Sequence, residues 1–354
     1  DTVVSDQGYG ANSYVETEKP IVVVTGPGPG SGKLATCLSQ FYHDHRRGLE
    51  SGYAKFETYP IWNLPLKHPV NSAYEAATAE MKDVNQIDHF HLEAYDERAV
   101  NYNRDIEAFP LLKRIIEKIT GGSSFYASPT DMGVNRAGFG IVNDDVVREA
   151  ARQEIVRRYF RYACEHAMGL VDRESVERIQ LLMKEHDLSP ESRSVVTPAR
   201  KAAGEAREKG KGNKGIFCGA AMELPDGSIV TGYNTPVVHA ASNLILNASR
   251  RLAGFPLEQD LLPPGVVRSI SHLKKDVLGR NRVSLDAEET LIALGISAAS
   301  DLRADQAVEQ LPVFQGCEVH MTHMPSPGDE AGLRKLGVNL TTDPQFASTK
   351  LFAG

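Results

Sequence analysis

"VVVTGPGPGSGKLATCLSQFY" occupies residues 22–42 and joins an apolar run to an amphipathic one through alternating Gly and Pro. The continuous apolar run 20–26 predicts a buried parallel strand, because a strand covered on both faces needs no polar alternation. Leu34, Cys37, Leu38, Phe41 and Tyr42 recur at i, i+3, i+4, i+7 and i+8, which predicts a helix over 32–48 stopped at Gly48. A Gly-rich turn in that place is suited to a phosphate: its backbone can turn tightly, and the helix end behind it carries partial positive charge and unpaired N–H groups. Gly28, Gly30, Ser31, Gly32 and Lys33 form the expected cradle, and Thr36 is the nearest hydroxyl after Lys33. The stretch departs from G-x-x-x-x-G-K-[ST] at two points. Pro27 stands at the first Gly, and Leu34 stands where a hydroxyl would hold magnesium. Pro27 and Pro29 stiffen the loop and remove two donors. The alternative is a Gly/Pro turn that closes a strand–helix unit and binds nothing.

The rest of the chain narrows the class of protein. Its 354 residues suffice for two or three cores. A net charge of −7 argues against a general nucleic-acid binder. No run of about 18 apolar residues marks a membrane span, and the opening DTVVSDQGYG lacks the apolar stretch of a signal peptide. Cys37, Cys164, Cys218 and Cys317 are widely spaced without a C-x-x-C pair, as in a protein with reduced thiols. The expectation is a cytoplasmic protein whose partner is a phosphorylated small molecule. Neither nucleic acid nor membrane is expected, and a homo-oligomer is left open.

Patterning divides the chain at 1–143, 144–213 and 214–354. In the first part GYAKFETYPI (52–61) reads as a short strand, 60–110 as loops with short helices, and 108–120 as a helix ended by Gly121-Gly122. From Asp144, a candidate N-cap, to about Lys209 the pattern is helical, with 199–214 read as a solvated helix end passing into a linker. The last part opens with a hairpin whose turn signal is Asp226-Gly227. Helices are expected near 237–253, 286–299 and 302–311. GCEVHMTH reads as a strand, GDEAGLRKLG as a short helix and VNLTTDP as a final strand.

Several polar groups could carry chemistry. On a strand, Lys55 and Glu57 share a face, so a cation would stand beside the phosphates and a carboxylate beside a metal. These two and Asp88 are the candidate catalytic residues. His68, Asn71, Arg104, Asp131 and Asn135 lie in polar loops and are candidate substrate ligands, or merely helix caps. His89, His91 and Glu93 would share a face on a strand and could bind a divalent metal, whereas a helix would scatter them. Cys317 and His323 would share a strand face with His320 pointing the other way, so no zinc is expected there. A nucleotide is the cofactor the loop suggests, and the missing hydroxyl leaves magnesium doubtful.

VVVTGPGPGSGK, GYAKFETYPIWNLPLKHPVNSAYEAATAE, FHLEAY, VNYNRD and SPTDMGVN together resemble the uncharacterised bacterial family called domain of unknown function 1846. The resemblance extends over essentially the whole chain. It implies a further N-terminal region, so that VSDQGYG would fall partway through a Rossmann-like domain whose opening strands are missing. It brings no established activity. More remotely, the Gly-rich loop, Lys33 and a strand bearing Lys55 are similar to the amidotransferase and synthetase branch of P-loop nucleotide enzymes. The last part is similar to the cytidine-deaminase fold, but His239 is followed by Ala240 and Ala241 and P-C-x-x-C is absent. The expected fold is therefore α/β, with a Rossmann-like or P-loop-like domain, a helical middle and a zinc-free deaminase-like end. The expected function is that of a phosphate- or nucleotide-binding protein, as a nucleotide-dependent transferase, ligase or hydrolase. A non-catalytic nucleotide sensor and a structural protein are the alternatives.

Overall fold

The computed structural model describes residues 1–347 apart from 29, 58, 123 and 257. The chain forms two compact units, 1–151 and 152–354, and each is described by itself.

The first unit contains α1 (Lys33–Arg46), α2 (Pro69–Ala77), β1 (Asn85–Ile87), α3 (His89–Tyr95), β2 (Val100–Tyr102) and α4 (Asn103–Thr120). Helix α5 (Asp144–Ala167) carries the chain onward. Part of the stripe foreseen for α1 is buried: Leu38, Phe41 and Tyr42 pack with Phe109, Ile116 and Ile119 of α4, while Leu34 is exposed. α4 begins five residues before the expected start and contains Pro110. β1 and β2 pair antiparallel from Asn85↔Tyr102 to Ile87↔Val100.

Two strand expectations fail here. Residues 20–26 form no strand, and Ile21 and Val23 are 80% and 78% exposed. Among the described residues of 52–61 there is none either; an isolated bridge joins Ile61 to Asn135. β-branched residues favour extended backbone, but a strand exists only as part of a ladder. No segment among the described residues offers one to 20–26. Pro29 lies outside the described residues.

The second unit holds α6 (Arg173–Glu185), α7 (Val196–Glu208), β3 (Gly219–Glu223), β4 (Ile229–Tyr233), α8 (Ala240–Leu252) and α9 (Pro264–His272). α10 (Ala287–Ala298), α11 (Leu302–Glu309), β5 (Glu318–Met321), α12 (Pro327–Lys335) and β6 (Asn339–Thr342) follow. The strands form one sheet in the order β4-β3-β5-β6, with the β5–β6 pair parallel and the others antiparallel. Alternation along β3 sorts the helices onto two faces. Ala221 packs with Val195 and Ala199 at the start of α7, while Ala220 and Met222 join Ala240, Leu244 and Ile245 of α8. Both helices sit very close to the sheet. A Cβ at Gly219 would collide with the Ala199 carbonyl, and one at Gly232 with the Leu244 amide.

Residues 199–208 are therefore not a solvated helix end. They complete α7, whose Ala199, Ala202 and Ala206 are buried while its charges face outward. Among the described residues, no helix is long and apolar enough to cross a membrane.

Candidate functional site

The Gly-rich loop meets α1 at Gly32, whose φ of 86° lies in the left-handed region and which serves as the N-cap. A side chain there would be strained. From the first turn, Lys33 folds back over the loop: its Nζ donates to the Gly28 carbonyl at 2.8 Å and to Ser31 Oγ at 3.2 Å. Ser31 Oγ also donates to the Gly28 carbonyl at 2.8 Å. The cation is thus held over the loop at the positive end of a 14-residue helix. Thr36 takes no part, because its hydroxyl donates back to the Gly32 carbonyl at 3.1 Å. Leu34 is exposed and carries no oxygen at the magnesium position.

Lys55 and Glu57 do come together, without a strand, but a third group joins them. Lys55 Nζ lies 2.7 Å from Glu57 Oε1 and 2.5 Å from Asp105 Oδ2. Burial lowers the Lys55 pKa, yet the two carboxylates outweigh it and raise the pKa. Burial pushes the Glu57 carboxyl up against the pull of Lys55, and its Oε2 is buried without a hydrogen-bond partner among the described residues. One cation between two carboxylates is no spare positive charge for a phosphate.

Asp88 has another occupation. It is the N-cap of α3: Oδ1 accepts from the Phe90 and His91 amides, and Oδ2 accepts from the Thr130 amide and hydroxyl. A carboxylate has about four acceptor sites, and all are used. This leaves nothing to bind a metal or attack a substrate. Its cap also turns 89–95 into a helix, where alternate residues diverge by about 200°. His89, His91 and Glu93 are scattered accordingly. Among the described residues, no group of three or more His, Cys, Asp or Glu could hold a metal ion.

The candidate substrate ligands are mostly struts. His68 caps α2 through Nδ1, and its Nε2 lies 2.9 Å from Asp144 Oδ1. Asn71 clamps the Ile61 backbone, accepting from its amide at 2.8 Å and donating to its carbonyl at 3.0 Å. Asp131 closes a capping box with Ser128, and Asn135 Oδ1 accepts from the Ala137 amide at 2.6 Å. Arg104 stays half-exposed beside Asp83 at 3.1 Å.

Sequence reading missed the partnership of Asp105 with Lys55, fifty residues apart, for which no local pattern exists. It also missed the contact of the buried His91 with Ser128 at 2.9 Å, in which Trp62 and Tyr95 flank the ring.

Two family models match the chain. "Domain of unknown function DUF1846, N-terminal" covers residues 1–187 and its C-terminal counterpart covers residues 191–352. A UPF0371 protein from Clostridium botulinum (strain ATCC 19397 / Type A) is 54% identical over 353 residues, 99% of this chain and 70% of that protein. A UPF0371 protein from Clostridium tetani (strain Massachusetts / E88) is 52% identical over 352 residues, with the same coverage of 99% and 70%.

Proposed function

The chain belongs to the DUF1846 family, and on that footing we propose that loop 26–33 binds the phosphate of a nucleotide or phosphorylated metabolite on which the protein acts. One observation carries this reading: Lys33 Nζ held over the loop, 2.8 Å from the Gly28 carbonyl, at the first turn of α1. Four glycines, a cation and a helix end in one place form an anion cradle. The finer fold readings belong to the same proposal. Unit 1 is taken as a Rossmann-like or P-loop-like domain. Unit 2 is taken as deaminase-like without zinc, supported by its hairpin, its flanking helices and the parallel β5–β6 pair.

The catalytic part of the proposal falls to Glu57, whose raised pKa suits a proton carrier. A second reading, ligand binding without chemistry, draws support from the groups that are already engaged. Lys55 is neutralised by two carboxylates and Asp88 is saturated.

The test is a thermal-shift screen of nucleotides and sugar phosphates on the protein and on Lys33→Ala. A ligand at about a hundred times its Kd stabilises by about 2.7 kcal/mol, a rise of several degrees in Tm. Lys33→Ala removes a charge-assisted contact and should weaken binding by roughly ten- to a hundredfold. Because Leu34 replaces the metal-holding hydroxyl, the shift should depend only weakly on magnesium. A full shift in Lys33→Ala, or none in the intact protein, reduces the loop to a turn.

A further inference from the structure

The second unit contains a cleft of 840 Å³ between the N-terminal ends of α8 and α12, within the size range of small-molecule sites. His239, the N-cap residue of α8, lines it with a quarter of its side chain exposed. Its Nδ1 lies 2.7 Å from Oδ2 of the buried Asp329, in the first turn of α12. Asp329 is itself locked, since Ser326 Oγ donates to Oδ2 at 2.7 Å and the Ala287 amide donates to Oδ1 at 3.0 Å. A carboxylate held this way fixes the ring and keeps the proton on Nδ1. Nε2 is then the ring atom left to act, and His239 lines the cleft.

The walls indicate what the cleft would take. Lys214 and Arg282 are exposed on its rim, and the two helix ends add partial positive charge. Ile216, Val283, Met321 and Met324 supply an apolar side. The charged groups acting on His239 are Asp329, Asp286 and Lys274, while Lys214, Arg282 and His323 line the same cleft. Burial lowers the His239 pKa, but Asp329 outweighs it and raises the pKa, so the ring takes up a second proton, and with it a donor at each nitrogen, more readily than a free histidine.

We propose that this cleft is a second ligand site, separate from loop 26–33, that takes a small phosphate monoester with an apolar body. Lys214 and Arg282 attract its doubly charged head, and His239 Nε2–H donates to a phosphate oxygen. The apolar body rests on the methionine side. The Asp–His pair holds that donor in place, as a carboxylate orients a histidine in other binding and catalytic sites.

Phenyl phosphate is the probe, with benzoate and inorganic phosphate for comparison, and the readout is the His239 ring signal by NMR across a pH titration. Phenyl phosphate should move that signal at millimolar concentration and raise the histidine's apparent pKa, because an added anion favours the charged ring. Lys214→Ala with Arg282→Ala should weaken the effect by roughly tenfold or more. Lys33→Ala should leave it unchanged, which separates this site from the loop. His239→Asn places a favoured residue at the helix N-cap and should abolish phenyl phosphate binding, read from the ligand's own NMR signals, while the circular-dichroism spectrum stays native. No movement of the His239 signal, equal affinity in the Lys214/Arg282 variant, or benzoate binding as well as phenyl phosphate overturns the proposal.

Discussion

Residues 20–26 and residues 219–223 are both apolar runs beside a packed helix, and they end in opposite states. Ile21 and Val23 stand in solvent, and no ladder ties the run to a neighbour among the described residues. Ala220, Ala221 and Met222 are wholly buried, with β4 on one side of β3 and β5 on the other. The first run has the stronger strand composition, since it is rich in valine, while the second is mostly Gly and Ala. Composition makes a backbone extended, but a neighbour with a matching register makes it a strand. A β-rich run without that neighbour keeps its N–H and C=O groups for water.

Hydrogen exchange should show the contrast most strongly. Amides of β3 should exchange only through global opening, slower than those of residues 22–25 by more than about a thousandfold. Comparable protection in both runs would mean that 20–26 has found a ladder in solution. Denaturant unfolding gives the next largest difference. Leu244→Ala, beneath β3 on α8, should cost about 2–5 kcal/mol, whereas Val23→Ala should stay within about 0.5 kcal/mol. A large loss at Val23 would place that side chain in a core.

A third test concerns the edge of the sheet in unit 2. Burial pushes the Asp343 pKa up, but His320 at 3.5 Å and Arg200 at 2.7 Å outweigh it and hold the pKa near about 2. The folded pKa lies below the unfolded one, so the stabilisation is present above about pH 4 and is lost as pH falls toward 2. Asp343→Asn should therefore cost about 2 kcal/mol at neutral pH, and the gap between variant and parent should close in acid. A constant gap from pH 7 to pH 2 would remove charge as its cause. A further loss is expected at the loop. Gly32→Ala forces a left-handed backbone on a residue with Cβ and should cost roughly 1–2 kcal/mol in unit 1 alone.

Much of the second unit was legible locally. Asp-Gly marked the hairpin turn, and the helices expected near 237–253, 286–299 and 302–311 are α8, α10 and α11. α7 was harder to read, because its small and charged residues resemble a solvated linker. Its alanines count as core only once β3 lies against them. In the first unit α1 and its N-terminal glycine were legible, and so was the proximity of Lys55 to Glu57. Asp88 was harder to read: an Asp before an apolar run is equally a catalytic carboxylate or a cap, and half of its bonds come from Thr130, forty-two residues away.

By itself, the sequence determined α1, α8, α10, α11, the hairpin and a lysine at the head of a Gly-rich turn, because helical patterning and turn chemistry act over a few residues. The tertiary structure alone decided which extended runs became strands, which charges were neutralised and where His239 met Asp329. Ladders, ion pairs and clefts join residues tens of positions apart, and local pattern carries no record of that distance.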